Sequence, residues 1–517
     1  MNPMLRRYFK TIAVFIMALT VALPAVHAEQ AQPDYNEPYR PQFHFTPIRN
    51  WMNDPNGLVY FEGEYHLFYQ YNPFGNEWGN ISWGHAVSRD LVHWKHLPVA
   101  LEPDSLGMIW SGSAVVDERN TSGFFKGKSG GLVAIYTSAG ETQQQSIAYS
   151  TDNGRTWTKY GGNPVIPNPG IKDFRDPKVF WHGKSERWIM VLAAGDKVQF
   201  YASPNLKNWT YLSEFGMKEG DHSGVWECPD LFELPVDGNP SHTKWVLKVD
   251  INPGEKNQGS RGQYFIGQFD GTNFINDNPP DKVLWNDYGK DFYAYLSWNH
   301  LPERRIWIAW MNNWQYADKT PTSPWRGAMT IPREVALKTM PKEGIRLVQS
   351  PVRELQQLRT NTKKWSGPQT ISPGSNLLSG IEDDTYEMIA EFELDSADEF
   401  GFKVRKGDRE ETIVGYDVNR SEIFVDRTNS GNTQFSPFFP GEYRASLFPV
   451  HNRIKLHLFV DRSSVELFGN EGDRVITSLI FPSPESRDIE LYAKNGTVKL
   501  ISMSVYHLSS VWREKER

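Results

Sequence analysis

The chain has 517 residues, with 55 Lys and Arg against 62 Asp and Glu, a formal net charge of −7. That balance argues against nucleic acid or an anionic membrane as partner. With one cysteine, Cys228, there is no internal disulfide, so core burial must hold the fold together, and the length suggests two or more domains. At the start, Arg6, Arg7 and Lys10 precede an apolar run from Ile12 to Leu23 and the small-residue pattern Val26-His27-Ala28. Residues 1–28 are therefore expected to be a secretory signal cleaved after Ala28. Their removal takes away three cations and no acids, which moves the formal charge to −10. No later stretch approaches the ~20 apolar residues of a spanning helix. The mature protein is expected to be secreted, extracellular and free of the membrane. Aromatic residues make up 14%, with 19 Trp; such a surplus suits either platforms for flat ligands such as sugar rings or buried sheet cores.

Helical periodicity is scarce along the chain. Short β-rich runs dominate, such as Gly57–Tyr71, Gly131–Thr137, Trp188–Ala193, Lys244–Val249 and Arg305–Trp310, each bounded by Gly, Pro, Asn or Asp. The pattern predicts an all-β fold. Ser88-Arg89-Asp90-Leu91-Val92-His93-Trp94 returns as Ser203-Pro204-Asn205-Leu206-Lys207-Asn208-Trp209, with a looser copy from Ser150 to Trp157. A turn followed by a Trp, recurring at such intervals, predicts a propeller with one sheet per repeat. Residues 36–348 have room for five blades; a sandwich of unrelated hairpins is the competing reading.

Around Ser350 the character changes. Residues 349–362 read as a linker, with Pro351–Leu358 short, polar and helix-compatible. Nine strand-like runs follow, Tyr386–Leu394, Phe400–Arg405, Thr412–Tyr416, Glu422–Arg427, Arg453–Val460, Ser464–Phe468, Val475–Phe481, Ile489–Ala493 and Val498–Leu508. They predict a β-sandwich over 363–512. Asp461 and Glu466 lie in a strand-turn context there, where structural roles outweigh catalytic ones.

Three carboxylates in the first module sit in prepared settings. Asp54 lies in Trp51-Met52-Asn53-Asp54-Pro55-Asn56-Gly57, where Pro55 pushes it toward extended backbone and Asn56-Gly57 signals a reversal. A plain Asx-turn would explain the same residues. Asp176 lies in Phe174-Arg175-Asp176-Pro177, beside a guanidinium that favours its ionised form if the side chains converge. A structural ion pair is the bland alternative. Glu227, in Trp226-Glu227-Cys228-Pro229-Asp230, has apolar neighbours of the kind that raise a carboxyl pKa and suit a proton donor, or simply bury a structural Glu. Together the three suggest glycoside hydrolysis, which needs an acid and a nucleophile or base about the scissile bond. No metal-ligand motif is present, which makes metal ligation the less favoured reading, and there is no GxSxG elbow or phosphate-cradling glycine loop.

These motifs, in this order and spacing, resemble glycoside hydrolase family 32, the family of invertases, levanases and inulinases. The likeness extends to Gln70 in FYQYNP, Trp110–Ala114 (WSGSA) and Asp461–Phe468 (DRSSVELF), and so covers nearly all of the mature chain. It implies a five-bladed propeller followed by a sandwich, and a cofactor-free reaction. Asp54 would be the nucleophile forming a fructosyl intermediate, Glu227 the acid and then base, and Asp176 the stabiliser of the oxocarbenium-like transition state. Arg175 would orient its neighbours. Trp51, Met52, Asn53, Gln70, Trp78, Trp110, Ser111 and Trp314 would bind the terminal fructose. Trp110 departs from the Phe of many members, which touches pocket shape and not catalysis.

Within the family the likeness is greatest to bacterial levanases and exo-inulinases. It implies a secreted, retaining, exo-acting β-fructosidase taking levan, inulin and sucrose, as a monomer or homodimer. An endo-acting levanase or a fructosyltransferase using the same intermediate is the nearest alternative, and a non-catalytic fructan-binding propeller the remote one.

Overall fold

The computed structural model describes residues 35–127, 130–252 and 259–512; the expected signal at 1–28 lies outside the described residues. Among these, no helix is long and apolar enough to cross a membrane. The chain is nearly all β, a propeller followed by a sandwich. Three successive antiparallel meanders come first. They are Asn50–Phe61 to Trp94–Leu101, Met108–Val116 to Thr158–Lys159, and Phe174–His182 to Thr210–Phe215. A nine-stranded sheet follows, in which the meander from Val225–Val236 to Phe274–Asn276 meets that from Tyr293–Ser297 to Gly344–Pro351 through one parallel pair, Val236 opposite Leu337.

The first strand of each meander lies innermost, and these strands pack on one another in a closed ring. A final parallel pairing of Trp325–Arg326 with Asn50–Trp51 ties the end of the propeller to its beginning. The recurring turn has one physical form. The Trp94, Trp209 and Trp157 indoles donate to the carbonyls of Leu91 (3.1 Å), Leu206 (2.9 Å) and Gly154 (3.0 Å). Those three residues are left-handed, at φ 65°, 64° and 80°. Asp90, Asn205 and Asp152 accept backbone N–H groups within the same turns. The repeat is thus an Asx-type turn closed by an indole, and it launches the outermost strand.

Two local expectations are corrected. Asn56-Gly57 does not reverse the chain: Asn50–Phe61 runs through it as one strand, and the turn comes at Glu62-Gly63. Two register shifts absorb the left-handed Gly57 (φ 55°), where an added Cβ would lie 2.5 Å from the Phe68 ring. After the 3-10 helix Arg353–Leu358, the sandwich has eleven strands in sheets of six and five. The two additional ones, Arg359–Ile371 and Glu442–Ser446, are sheet edges. An edge with an exposed face keeps a polar sequence, so no alternation marks it.

The sandwich core gathers residues such as Met388, Phe400, Val414, Leu456 and Leu491 from both sheets. A polar cluster joins it to the propeller. His44 sits between Asp461 and Glu466, 2.8 Å from each, and Arg333 donates to Glu466, to Asp287 (3.0 Å) and to Thr477.

Candidate active site

All five inner strands carry a register shift. The shifts fall between Met52 and Pro55, Ile109 and Gly112, Arg175 and Lys178, Glu227 and Asp230, and Tyr293 and Leu296. In three of them the cause is written in the sequence. Pro55, Pro177 and Pro229 lack an amide hydrogen, so the ladder must break there, and an inner strand with one paired side tolerates it. A bulge lets neighbouring residues face the same way instead of alternating. Asp176 and Cys228 adopt left-handed backbone, at φ 65° and 46°, as does Ala294 at 54°. Such conformations cost about 1–3 kcal/mol each and persist where the surroundings enforce them.

Asp54 is buried at the base of the resulting cavity. Asn53 Nδ2 donates to its Oδ1 (2.9 Å), while Ser111 Oγ (2.6 Å), Gln70 Nε2 (3.4 Å) and the Cys228 thiol (3.5 Å) donate to Oδ2. Burial raises the Asp54 pKa, and the Ser111 and Asn53 hydrogen bonds counter that by favouring the carboxylate. Asn53 is itself held, its Oδ1 by the Trp51 indole (2.7 Å) and its Nδ2 by Gln70 Oε1 (3.0 Å).

Asp176 lies across the cavity, its Oδ2 accepting the Cys228 amide (2.9 Å) with the thiol 3.6 Å away. The expected ion pair with Arg175 is loose, at 4.0 Å. Arg175 instead donates to Glu227 Oε1 (2.7 Å), Asp173 Oδ1 (2.7 Å) and Gln143 Oε1 (3.1 Å). Burial therefore raises Asp176; the nearby Arg175 opposes this only in part, Glu227 and Asp54 add to it, and the pKa reaches about 7. Glu227 also differs from its sequence surroundings. Trp226 turns into the core beside Phe265, and the groups that touch the Glu227 carboxyl are polar, Arg175 and the Tyr293 hydroxyl.

The cavity holds about 300 Å³ and is lined by Asn53, Asp54, Gln70, Trp78, Trp110, Arg175, Asp176, Glu227 and Trp314, with Gln143, Asp173 and Asn252. Ser111 is not in the cavity lining; it stands behind Asp54 and Gln70 and is hydrogen-bonded to both. Trp51 is buried against Trp310 and Trp314 and acts through Asn53, not on the cavity surface. Met52 is corrected outright: it packs with Leu58, Tyr69 and Met329 in the core, because strand alternation still holds at that residue, before the bulge. Sequence reasoning did not pick out Tyr293, Gln143, Asp173 or Asn252. Of the partners it overlooked, only Cys228 had a signal, its place between Glu227 and Pro229.

Further along the same inner strands the axis is closed. Lys178 Nζ reaches Ser297 O (2.6 Å) and Asp230 (3.2 Å), and the Asn299 amide bonds the carbonyls of Ala114 (2.8 Å) and Val179 (2.9 Å). The cavity is a blind pocket with three carboxylates converging on it. Among the described residues no group of three or more His, Cys, Asp or Glu is arranged to hold a metal ion. Carboxylates in such different surroundings can divide the work of nucleophile and proton donor at an acetal carbon.

The comparisons with known proteins agree with this arrangement. The glycosyl hydrolases family 32 N-terminal domain matches residues 44–351, and the family's C-terminal domain matches 354–507. A levanase of Bacillus subtilis is 58% identical, over 98% of this chain and 76% of its own length. The crystal structure of an exo-inulinase from Aspergillus awamori superposes with a TM-score of 0.85 at 42% identity, over 93% of this chain and all of that one. A β-fructofuranosidase from Schwanniomyces occidentalis, solved with fructosyl-erythritol, gives 0.82 at 33% identity, over 92% and 99%. The matches run through both modules and across every strand that builds the pocket, and so the chain belongs to glycosyl hydrolase family 32.

Proposed function

We propose that the protein is a secreted, retaining exo-β-fructosidase that releases terminal fructose from levan, inulin and sucrose. The observation that carries this reading is the blind pocket. At about 300 Å³ it stands at the small end of ligand sites, suited to one terminal sugar unit, and the buried Lys178–Asp230 and Asn299 contacts leave a polymer no way through. The levanase and exo-inulinase names of its relatives support the substrate class, and the word extracellular in several of those names supports export.

In this reading Asp54 attacks the anomeric carbon of the fructosyl unit while Glu227 gives its proton to the leaving oxygen, which forms a covalent ester at Asp54. Glu227, now a carboxylate, takes a proton from water, and the resulting attack on the same carbon frees Asp54 and restores the acid. Ser111, Asn53 and Gln70 hold Asp54 with one face toward the sugar. Asp176 accepts hydrogen bonds from the fructose hydroxyls and offers negative charge to the oxocarbenium-like transition state. Trp78, Trp110 and Trp314 form the apolar walls.

Parallel digestion of levan, inulin and sucrose with time-resolved product analysis tests the reading. Fructose should be the first product from each, released in the β-configuration when followed by NMR. A ladder of oligosaccharides at early times would refute exo action, and inversion would refute the Asp54 ester.

A further inference from the structure

Two segments that carry pocket residues are anchored on the sandwich. The first is the loop 286–291, which leads into the inner strand bearing Tyr293. It lies along the sandwich edge strand Arg474–Leu479 and is bonded to it residue by residue. Tyr288 N donates to Val475 O (2.8 Å) and Asp291 N to Thr477 O (3.3 Å). In return Thr477 N donates to Asp287 Oδ1 (2.9 Å) and Leu479 N to Asp291 Oδ2 (2.8 Å). Two of the four acceptors are side-chain carboxylates, so Asp287 and Asp291 help set the register. Gly289 admits the approach: a Cβ there would stand 2.0 Å from Thr477 O.

The second segment is Asn313–Tyr316, which bears Trp314. Tyr316 OH donates to Asp291 Oδ1 (2.5 Å) and accepts from Arg427 Nη2 (2.8 Å). Arg427 belongs to the sandwich, is fully buried, and also donates to Asp291 Oδ2, Phe439 O (2.8 Å) and Leu479 O (3.1 Å). The segment returns to the first one through Tyr316 N to Asn313 O (3.1 Å) and Asn313 Nδ2 to Lys290 O (2.8 Å).

If adhesion were the whole task, apolar packing of the kind made here by Met311, Phe439, Leu479 and Phe481 would serve as well. A buried ion pair adds little stability over such packing, and its known use is to specify one arrangement. We infer that Arg427 is a positioning residue of the active site. Through Asp291 and Tyr316 it sets Tyr293 against Glu227 and Trp314 against the cavity, which makes the sandwich part of the catalytic scaffold. The inference rests on the roles given above to Glu227 and the pocket.

The test uses the full-length protein with sucrose as substrate and measures kcat, KM and melting temperature for each variant. Tyr316→Phe keeps the Arg427–Asp291 pair and removes one hydroxyl, so it reports even if Arg427→Met fails to fold. Both are expected to lower kcat/KM about ten- to a hundredfold, the scale of small misplacements remote from the chemistry. The Tyr293 route should appear in kcat and the Trp314 route in KM, and Arg427→Lys should recover part of the loss. His44→Gln, at the other polar cluster of the same interface, should lower the melting temperature and leave kcat/KM near wild type. The inference is overturned if folded Tyr316→Phe hydrolyses sucrose at the wild-type rate, or if activity follows melting temperature alike at Tyr316 and His44. Glu227→Gln separates the two failures. Full activity there would remove the catalytic reading, whereas a dead Glu227→Gln with an unaffected Tyr316→Phe would remove the positioning role alone.

Discussion

The pocket and the propeller–sandwich interface both bury carboxylates, and they surround them with different partners. At the interface every such acid meets cations or donors. Asp461 and Glu466 enclose His44, Arg333 spans Glu466 and Asp287, and Arg427 holds Asp291. Burial alone would raise Glu466, but Arg333 and His44 pull its pKa below the ordinary value. In the pocket Arg175 serves Glu227 and Asp173 and stands 4.0 Å from Asp176, Asp54 has only neutral donors, and Asp176 rises to about 7. The difference teaches that neither burial nor a raised pKa by itself marks the pocket acids, because burial raises Asp287 at the interface as well. What sets Asp54 and Asp176 apart is that no cation is in direct contact with them.

Four measurements would break or sharpen that contrast. The largest effect is expected in activity. Glu227→Gln and Asp54→Ala should each lower kcat on sucrose by about 10²–10⁴-fold or more, with circular dichroism and melting temperature at least as good as wild type. A large loss of stability in either would place the pocket acids in the same class as those of the interface.

Next comes Arg333→Met, which leaves Asp287 buried without its cation and Glu466 with His44 alone. It should cost about 3–5 kcal/mol in urea unfolding, while kcat per folded molecule stays closer to wild type than in the pocket variants.

The third is a pH effect at His44. Burial alone would lower its pKa, but hydrogen bonds to Asp461 and Glu466 prevail and raise it from 6.5 to about 9. The folded protein then binds a proton more tightly than the unfolded chain. The stabilisation is fully present below pH 6.5 and is lost as pH rises through 9. Unfolding free energy should fall by about 2 kcal/mol over that window, and His44→Gln should flatten the profile.

The smallest effect has the same sign at a lower pH. Asp176 has a folded pKa of about 7 against 3.8, so its contribution is present below 3.8 and lost as pH rises through 7. Asp176→Asn should thus stabilise the free enzyme by on the order of 1 kcal/mol at pH 8 while reducing turnover. Destabilisation instead would mean that Asp176 is compensated after all.

How much of this was legible in the sequence depended on how locally each feature is determined. Alternating β-runs, the Ser-x-Asx-to-Trp turns and the change of character after Ser350 are set by near neighbours, and they predicted an all-β chain in two modules. Edge strands such as Arg359–Ile371 escaped, because a half-exposed face imposes no pattern. Asp54-Pro55, Asp176-Pro177 and Cys228-Pro229 were visible because proline breaks a ladder wherever it stands. What the chain does with those breaks was not visible. Asn56-Gly57 reads as a turn, and only its packing on Phe68 and the paired bulges make it a strand. Met52 and Asn53 are equally plausible site residues on paper, and where the alternation gives way to the bulge decides which one faces the axis.

By itself, then, the sequence determined the reaction class and singled out the three acids proposed to perform it, since family motifs and proline-marked carboxylates are local properties. The tertiary structure alone decided that Arg175 serves Glu227 more closely than Asp176, that Tyr293 completes the site, and that Lys178 and Asp230 close the pocket beneath it. The reason is physical. Each of those contacts joins different inner strands of the ring, and hydrogen bonds between side chains brought together only by ring closure leave no periodicity in the chain that forms them.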